Sequence, residues 1–173
     1  TAQSVERAFS ILNFLRDSGS AMPLRDIADD LGMSTTTVHR LLMTLKKCQV
    51  VEQDPQTRQY FLSLKMLLYG KSVLDRYDWR NKAHPLLGEL SKKVGETVFM
   101  GILDGFDLVY IDHVDSLDHV LRMTPQIGRR QDAHTTALGK VLLAHLDGPQ
   151  LESFLKRKEL ARRTVHTMTN PKV

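Results

Sequence analysis

The sequence predicts an α+β chain that opens with three helices and a β-hairpin and continues into a mixed second half. Three observations carry that expectation. Apolar residues recur at helical spacing between residues 5 and 45, punctuated by Gly19, Pro23 and Gly32. The stretch "VVEQDPQTRQYFL" then alternates apolar and polar residues on both sides of a Pro-containing turn. Past Gly95 the pattern changes to strand-like runs before helical spacing returns near the end.

Taken in order, Val5, Ala8, Phe9, Leu12 and Leu15 mark a first helix, with Gly19 as its stop. Leu24, Ile27, Ala28 and Leu31 mark a second, entered through Pro23 and closed by Gly32. Ser34 suits the N-cap of a third helix reaching about residue 48, because its hydroxyl can accept from a backbone N–H that the first turn leaves unpaired. Three helices followed by a hairpin make a winged helix-turn-helix, assigned to residues 1–63. Residues 64–78, with Leu64, Leu67, Leu68, Val73 and Leu74, read as a linker helix. A further helix carries Trp79, Ala83, Leu86, Leu87, Leu90 and Val94 and ends at Gly95. "ETVFMGIL" and "DLVYIDHV" flank the turn "DGF" as strands, and "HVLRM" reads as a third. After a polar loop come a helix in "TTALGKVLLAHL" and another over residues 150–160, so residues 79–173 form a second domain.

Bulk properties narrow the function classes. The chain has 173 residues, 42% hydrophobic and 25% charged, ordinary for a soluble globular protein. No apolar run approaches the roughly 20 residues of a membrane span, and no secretory signal opens the chain. The lone Cys48 excludes an internal disulfide framework and suits a reducing cytoplasm. A start at Thr1 without Met reads as a fragment or a processed form. Net charge is +4, yet residues 1–63 hold seven Lys/Arg and seven Asp/Glu. Bulk charge therefore gives the first domain no affinity for nucleic acid, and position has to carry that case.

Position does so on the third helix, "LGMSTTTVHRLLMTL". At 100° per residue Val38, Leu41, Leu42 and Leu45 fall within about 100° of arc. Thr36, Arg40, Met43 and Lys47 fall opposite, bordered by Thr35 and His39. A recognition helix needs small hydrogen-bonding residues where it enters the groove, with bulk and charge further along. Ser34, Thr35, Thr36 and His39 supply the first. Arg40 can make the bidentate contact to guanine, Met43 can touch a thymine methyl, and Lys47 can meet phosphate. Arg58, at the hairpin tip, is the candidate wing contact.

"SVERAFSIL", "LRDIADDLGMSTTTVHRLLMTL", "GETVFMGIL" and "HTTALGKVLLAHL" resemble the IclR family of bacterial transcriptional regulators, over essentially the whole chain. The resemblance implies a winged helix joined by a linker helix to a GAF-like α/β effector-binding domain, here incomplete. It further implies a homodimer or tetramer on operator DNA, switched by a small organic molecule. Two heads on a twofold axis would read a palindromic double-stranded operator. The helix start in "HTTALGK" favours a small organic acid or sugar acid. Carried over, the effector contacts are Met123, Thr136, Ala137, Leu138 and Gly139. Gln49, Arg58 and Ser63 stand where the resembled family habitually has Gly; were the backbone at Gln49 left-handed, it would cost about 1 kcal/mol. The family's effector domain also continues some tens of residues past "TMTNPKV".

The resulting expectation is a cytoplasmic, ligand-responsive regulator of a catabolic or metabolic operon, a repressor in preference to an activator, not an enzyme and without cofactor or metal. The alternative is a small-molecule enzyme or metal-dependent hydrolase built on the second domain. For that, "YIDHVDSLDH" offers Asp112, His113, Asp115, Asp118 and His119, although strand alternation sends Asp112 and His113 to opposite faces. Cys48 has no evident base beside it, as a nucleophile would need.

Overall fold

The computed structural model describes residues 2–116, 127–157 and 159–170. The chain divides into two compact units, Thr1–Arg76 and Tyr77–Val173. Among the described residues no helix is long and apolar enough to cross a membrane.

The first unit contains α1 (Gln3–Ser18), α2 (Leu24–Asp30) and α3 (Thr35–Lys47), then β1 (Val51–Gln53), β2 (Tyr60–Leu62) and α4 (Met66–Leu74). Gly19 and Gly32 close α1 and the turn after α2 at φ 63° and 60°, a conformation a β-carbon disfavours. Ser34 caps α3, its Oγ accepting from the Thr37 N–H at 3.3 Å. The core gathers Ile11 and Leu15 from α1, Ile27 and Ala28 from α2, Val38, Leu42 and Leu45 from α3, and Val51 and Tyr60 from the hairpin. Each large side chain buried there contributes roughly 1.5–3 kcal/mol. The hairpin is antiparallel, with Val51 opposite Leu62 and Gln53 opposite Tyr60. Tyr60 also exchanges backbone hydrogen bonds with Met22 at 2.9 and 2.7 Å, so the segment before α2 pairs with the wing.

The junction after α3 is tightly tied. Gln49 sits at φ 61°, in the left-handed region. Its carbonyl accepts from the hydroxyl of Ser63, which is itself buried. Lys65 Nζ donates to the Cys48 carbonyl at 3.0 Å. The α4 helix is shorter than the 64–78 reading. Residues 64 and 65 form a tight lead-in, with Leu67 and Leu68 N–H groups reaching only three residues back, and Asp75 and Arg76 form a terminal turn.

The second unit contains α5 (Trp79–Val94), β3 (Val98–Asp104), β4 (Asp107–Val114) and β5 (Arg130–Asp132). A 3-10 turn (Ala133–Thr135), α6 (Ala137–Ala144) and α7 (Gly148–Arg157) follow. The strands form an antiparallel sheet in the order β3-β4-β5. The strand expected at "HVLRM" lies outside the described residues. β5 occupies what the sequence reads as polar loop: Arg130, Gln131 and Asp132 have no apolar alternation, and pairing with residues 107–109 holds them extended. α7 begins two residues before the expected start.

A bulge leaves Ile111 as an extra residue on β4, since Met100 pairs with Asp112 and Gly101 with Tyr110. One face of the sheet packs Leu108 with Ala133, Leu143 and Phe154, and Leu138 joins them. Gly101 and Gly139 let that packing close. A β-carbon at Gly101 would meet Leu108 and Leu138 side chains, and one at Gly139 would be driven into the Ala133 carbonyl.

Gln49→Gly is expected to stabilise the first unit by about 0.5–1 kcal/mol by relieving the left-handed backbone. Gly139→Ala is expected to destabilise the second by about 1–3 kcal/mol through overpacking. Urea unfolding followed by circular dichroism measures both; an unchanged Gly139→Ala midpoint would contradict the packing described.

Candidate nucleic-acid interface and effector loop

Burial of the Val38, Leu42 and Leu45 stripe determines what α3 shows to solvent. Thr35, Thr36, His39, Arg40, Met43 and Lys47 are all exposed, and Met43 is 47% exposed despite being apolar. Ser34 is exposed too, but its hydroxyl is engaged in the cap, within 2.9 Å of the Thr37 hydroxyl. Among the described residues no carboxylate pairs with Arg40, Lys47 or Arg58. An unpaired guanidinium or ammonium on a face of small hydroxyl side chains is suited to phosphate and base edges.

Arg58 occupies the wing tip, exposed and at φ 61°. The loop around it is built on Asp54. Its carboxylate accepts from the Thr57 N–H at 2.7 Å and the Gln56 N–H at 2.8 Å, and these bonds hold it below the usual aspartate range. The Arg58 N–H donates to the Asp54 carbonyl at 3.0 Å. Lys46, next to Lys47 in sequence, is half-buried and donates to Gln53 Oε1 at 3.0 Å. The i, i+1 step of 100° separates the two lysines, and neither Lys46 nor Gln53 was legible as a site residue from pattern alone.

In the second unit, Thr136 caps α6, its Oγ1 accepting from Gly139 N–H at 3.0 Å. Gly139 is buried, Leu138 packs into the core, Thr136 is half-buried and Ala137 is exposed. As the first two helical residues, Ala137 and Leu138 carry N–H groups with no intrahelical acceptor, at the positive end of the helix. Met123 lies outside the described residues. His134, whose motif position the sequence reading passed over, sets Nε2 3.0 Å from the Ala161 carbonyl and encloses Nδ1 without a partner among the described residues.

Among the described residues considered for metal chemistry, Asp112, His113 and Asp115 have other partners. Asp112 is buried, its Oδ1 accepting from Arg80 Nη2 at 3.2 Å and its Oδ2 3.0 Å from His84 Nδ1. Arg80 Nε also donates to the Ile111 carbonyl at 2.8 Å, tying α5 to β4. His113 points to the other side of the sheet, stacked on Phe99 with ring centroids 6.4 Å apart. Asp118 and His119 lie outside the described residues. Among the described residues no three His, Cys, Asp or Glu side chains are grouped to hold a metal ion.

Two family models match the chain: the IclR helix-turn-helix domain over residues 4–55, and the bacterial transcriptional regulator IclR C-terminal domain over residues 71–173. The HTH-type transcriptional regulator XynR of Escherichia coli is 36% identical over 97% of this chain and 66% of its own length. The HTH-type transcriptional regulator KdgR of Dickeya chrysanthemi is 36% identical over 97% of this chain and 54% of its own length. The chain thus spans little more than half to just under two thirds of these relatives. The crystal structure of the Thermotoga maritima IclR superposes with a TM-score of 0.76 at 31% identity, covering 99% of this chain and 69% of that one. With a matching model for each unit, relatives aligned through both, and the same architecture in a solved structure, the chain belongs to the IclR family of bacterial transcriptional regulators.

Proposed function

We propose that this chain is the DNA-binding and effector-sensing part of a cytoplasmic transcriptional regulator of a catabolic or metabolic operon, acting as a repressor. The observation that carries the reading is the α3 face: six exposed residues chemically suited to a major groove lie opposite three buried apolar ones. Residues 1–63 serve as the head, 64–78 as linker and 79–173 as effector domain. Ser34, Thr35, Thr36, His39, Arg40, Met43 and Lys47 face the groove, and Arg58 meets the flanking backbone or minor groove. Repression asks least of the molecule, since a head seated on an operator obstructs transcription with no further contact. Both units match regulator families, which removes support from the enzyme alternative.

One winged helix reads too few base pairs to find a single genomic address, so two heads on a palindrome follow. The α4 helix has no buried residue, and Leu67, Leu68, Tyr69 and Val73 are all more than half exposed. An apolar helix of this kind is covered by a second copy, and the pair of heads, in a dimer or tetramer, rests on it. In the second unit the helix start at Thr136, Ala137, Leu138 and Gly139 takes a small organic acid or sugar acid. Free N–H groups and the helix dipole favour a carboxylate there.

Arg40→Ala is expected to lower specific affinity by about 1–3 kcal/mol and relax preference at one base pair per half-site, measured by competition on a selected duplex. Lys47→Ala is expected to weaken all duplexes alike and lower the salt slope by about 1. Unchanged discrimination by Arg40→Ala would remove its base-reading role. Leu68→Glu is expected to shift sedimentation toward monomer and weaken operator binding together; a monomer that binds as well as the parent would separate α4 from assembly. Thermal-shift titration of the full-length regulator with small carboxylates and sugar acids is expected to show a stabilisation that Ala137→Trp abolishes. An unaltered shift would move the pocket elsewhere.

A further inference from the structure

Lys46 and Lys47 stand side by side in sequence and do different work. Lys47 is exposed on the face opposite Val38. Lys46 is half-buried, its ammonium 3.0 Å from Gln53 Oε1 and 6.0 Å from the centroid of the Tyr60 ring. The Gln53 amide is engaged at both ends, because its Nε2 donates to the Arg58 carbonyl at 2.9 Å. An ammonium only donates and a carbonyl only accepts, so these two partners determine which way the amide faces. One side chain therefore joins the last turn of the recognition helix to the wing tip.

The rest of the loop does not do this. Asp54 N–H donates to the Gln59 carbonyl, and the Asp54 carboxylate holds Gln56 and Thr57. Those bonds give the loop its internal shape, but none of them reaches α3. The strands beneath it are only three residues long. Arg58 meanwhile keeps a left-handed backbone that favours departure unless its peptide groups are held.

We infer that Gln53 is a positioning residue for DNA binding: with Lys46 as its anchor, it holds Arg58 at a set distance and direction from the Arg40–Lys47 face. Helix and wing then meet one duplex without ordering the loop at the moment of binding, and that saved ordering appears as affinity. Lys46 acts through Gln53 and makes no phosphate contact of its own. The inference rests on the reading of the first unit as a DNA-binding head.

The test uses the whole chain and a palindromic duplex selected from a randomised pool by the unaltered protein. Gln53→Met keeps length and charge and removes both hydrogen bonds. It is expected to bind about three- to tenfold more weakly, the range one lost hydrogen bond supports, and to lower the salt slope as Arg58→Ala does. Placed in the Arg58→Ala background, Gln53→Met is expected to cost nothing further, whereas with Lys47→Ala the two losses should multiply. A merely structural weakening would multiply with both. Gln53→Asn, one methylene too short to span the two partners, is expected to behave like Gln53→Met, and thermal melting checks that each variant is folded. Independent losses for Gln53→Met and Arg58→Ala overturn the inference, as does a folded Gln53→Met with parental affinity and slope. Parental binding by Arg58→Ala beside a weakened Arg40→Ala also overturns it, while leaving the head a DNA reader. Absence of binding to any selected duplex overturns the DNA-binding reading itself.

Discussion

Burial of one stripe on α3 governs the first unit. Val38 and Leu42 are fully buried and Leu45 nearly so, packed against Ile11 and Leu15 of α1 and Ile27 and Ala28 of α2. That packing sets the rotation of α3 about its own axis. Once it is set, 3.6 residues per turn leave no choice about where Thr36, Arg40, Met43 and Lys47 point. The cost of turning the helix would be several buried side chains, at roughly 1.5–3 kcal/mol each. The proposed reading face is thus held by hydrophobic burial on the other side, and needs no contact of its own to stay in place.

The ends of α3 are where that rotation is passed on. At its start the Ser34 cap and the left-handed Gly32 determine the angle at which the chain leaves α2. At its finish Gln49, Ser63 and Lys65 form one knot: a strained carbonyl accepts from a buried hydroxyl, and an ammonium caps the final turn. Gln49 and Ser63, 14 residues apart in the chain, are partners in the structure. The same knot is where the lead-in to α4 begins, so the end of α3 and the start of α4 are tied to one another.

In the second unit the corresponding constraint is close approach. Gly101 and Gly139 lie where a β-carbon has no room, and Leu108 and Leu138 fill the space between sheet and helix. Three of the six residues of "TTALGK" are therefore accounted for by packing and capping: Leu138 in the core, Gly139 for room and Thr136 as the cap. What packing leaves unexplained are the exposed Ala137 and the two helix-start N–H groups, and these are the features on which an effector reading depends. Asp112 illustrates the opposite outcome. The sequence offers it as a metal ligand, and the bulge at Ile111 turns it instead toward Arg80 and His84 on α5.

The sequence by itself determined the helices, the hairpin, the first two strands of the sheet and the chemistry of the α3 face. All of these are periodic, and periodicity is a local property that burial of one face writes directly into residue order. The winged head was legible for that reason, whereas the positive φ at Gln49 has no periodic signature. Tertiary structure alone decided β5, whose Arg130, Gln131 and Asp132 carry no strand pattern and are extended because β4 pairs with them. It alone decided that Lys46 turns inward while Lys47 stays out, that Ser63 reaches Gln49, and that Gln53 bridges helix and wing. Each of those contacts joins residues 5 to 14 positions apart across a change of chain direction. No residue pattern encodes such a meeting, because its geometry exists only after the core has closed.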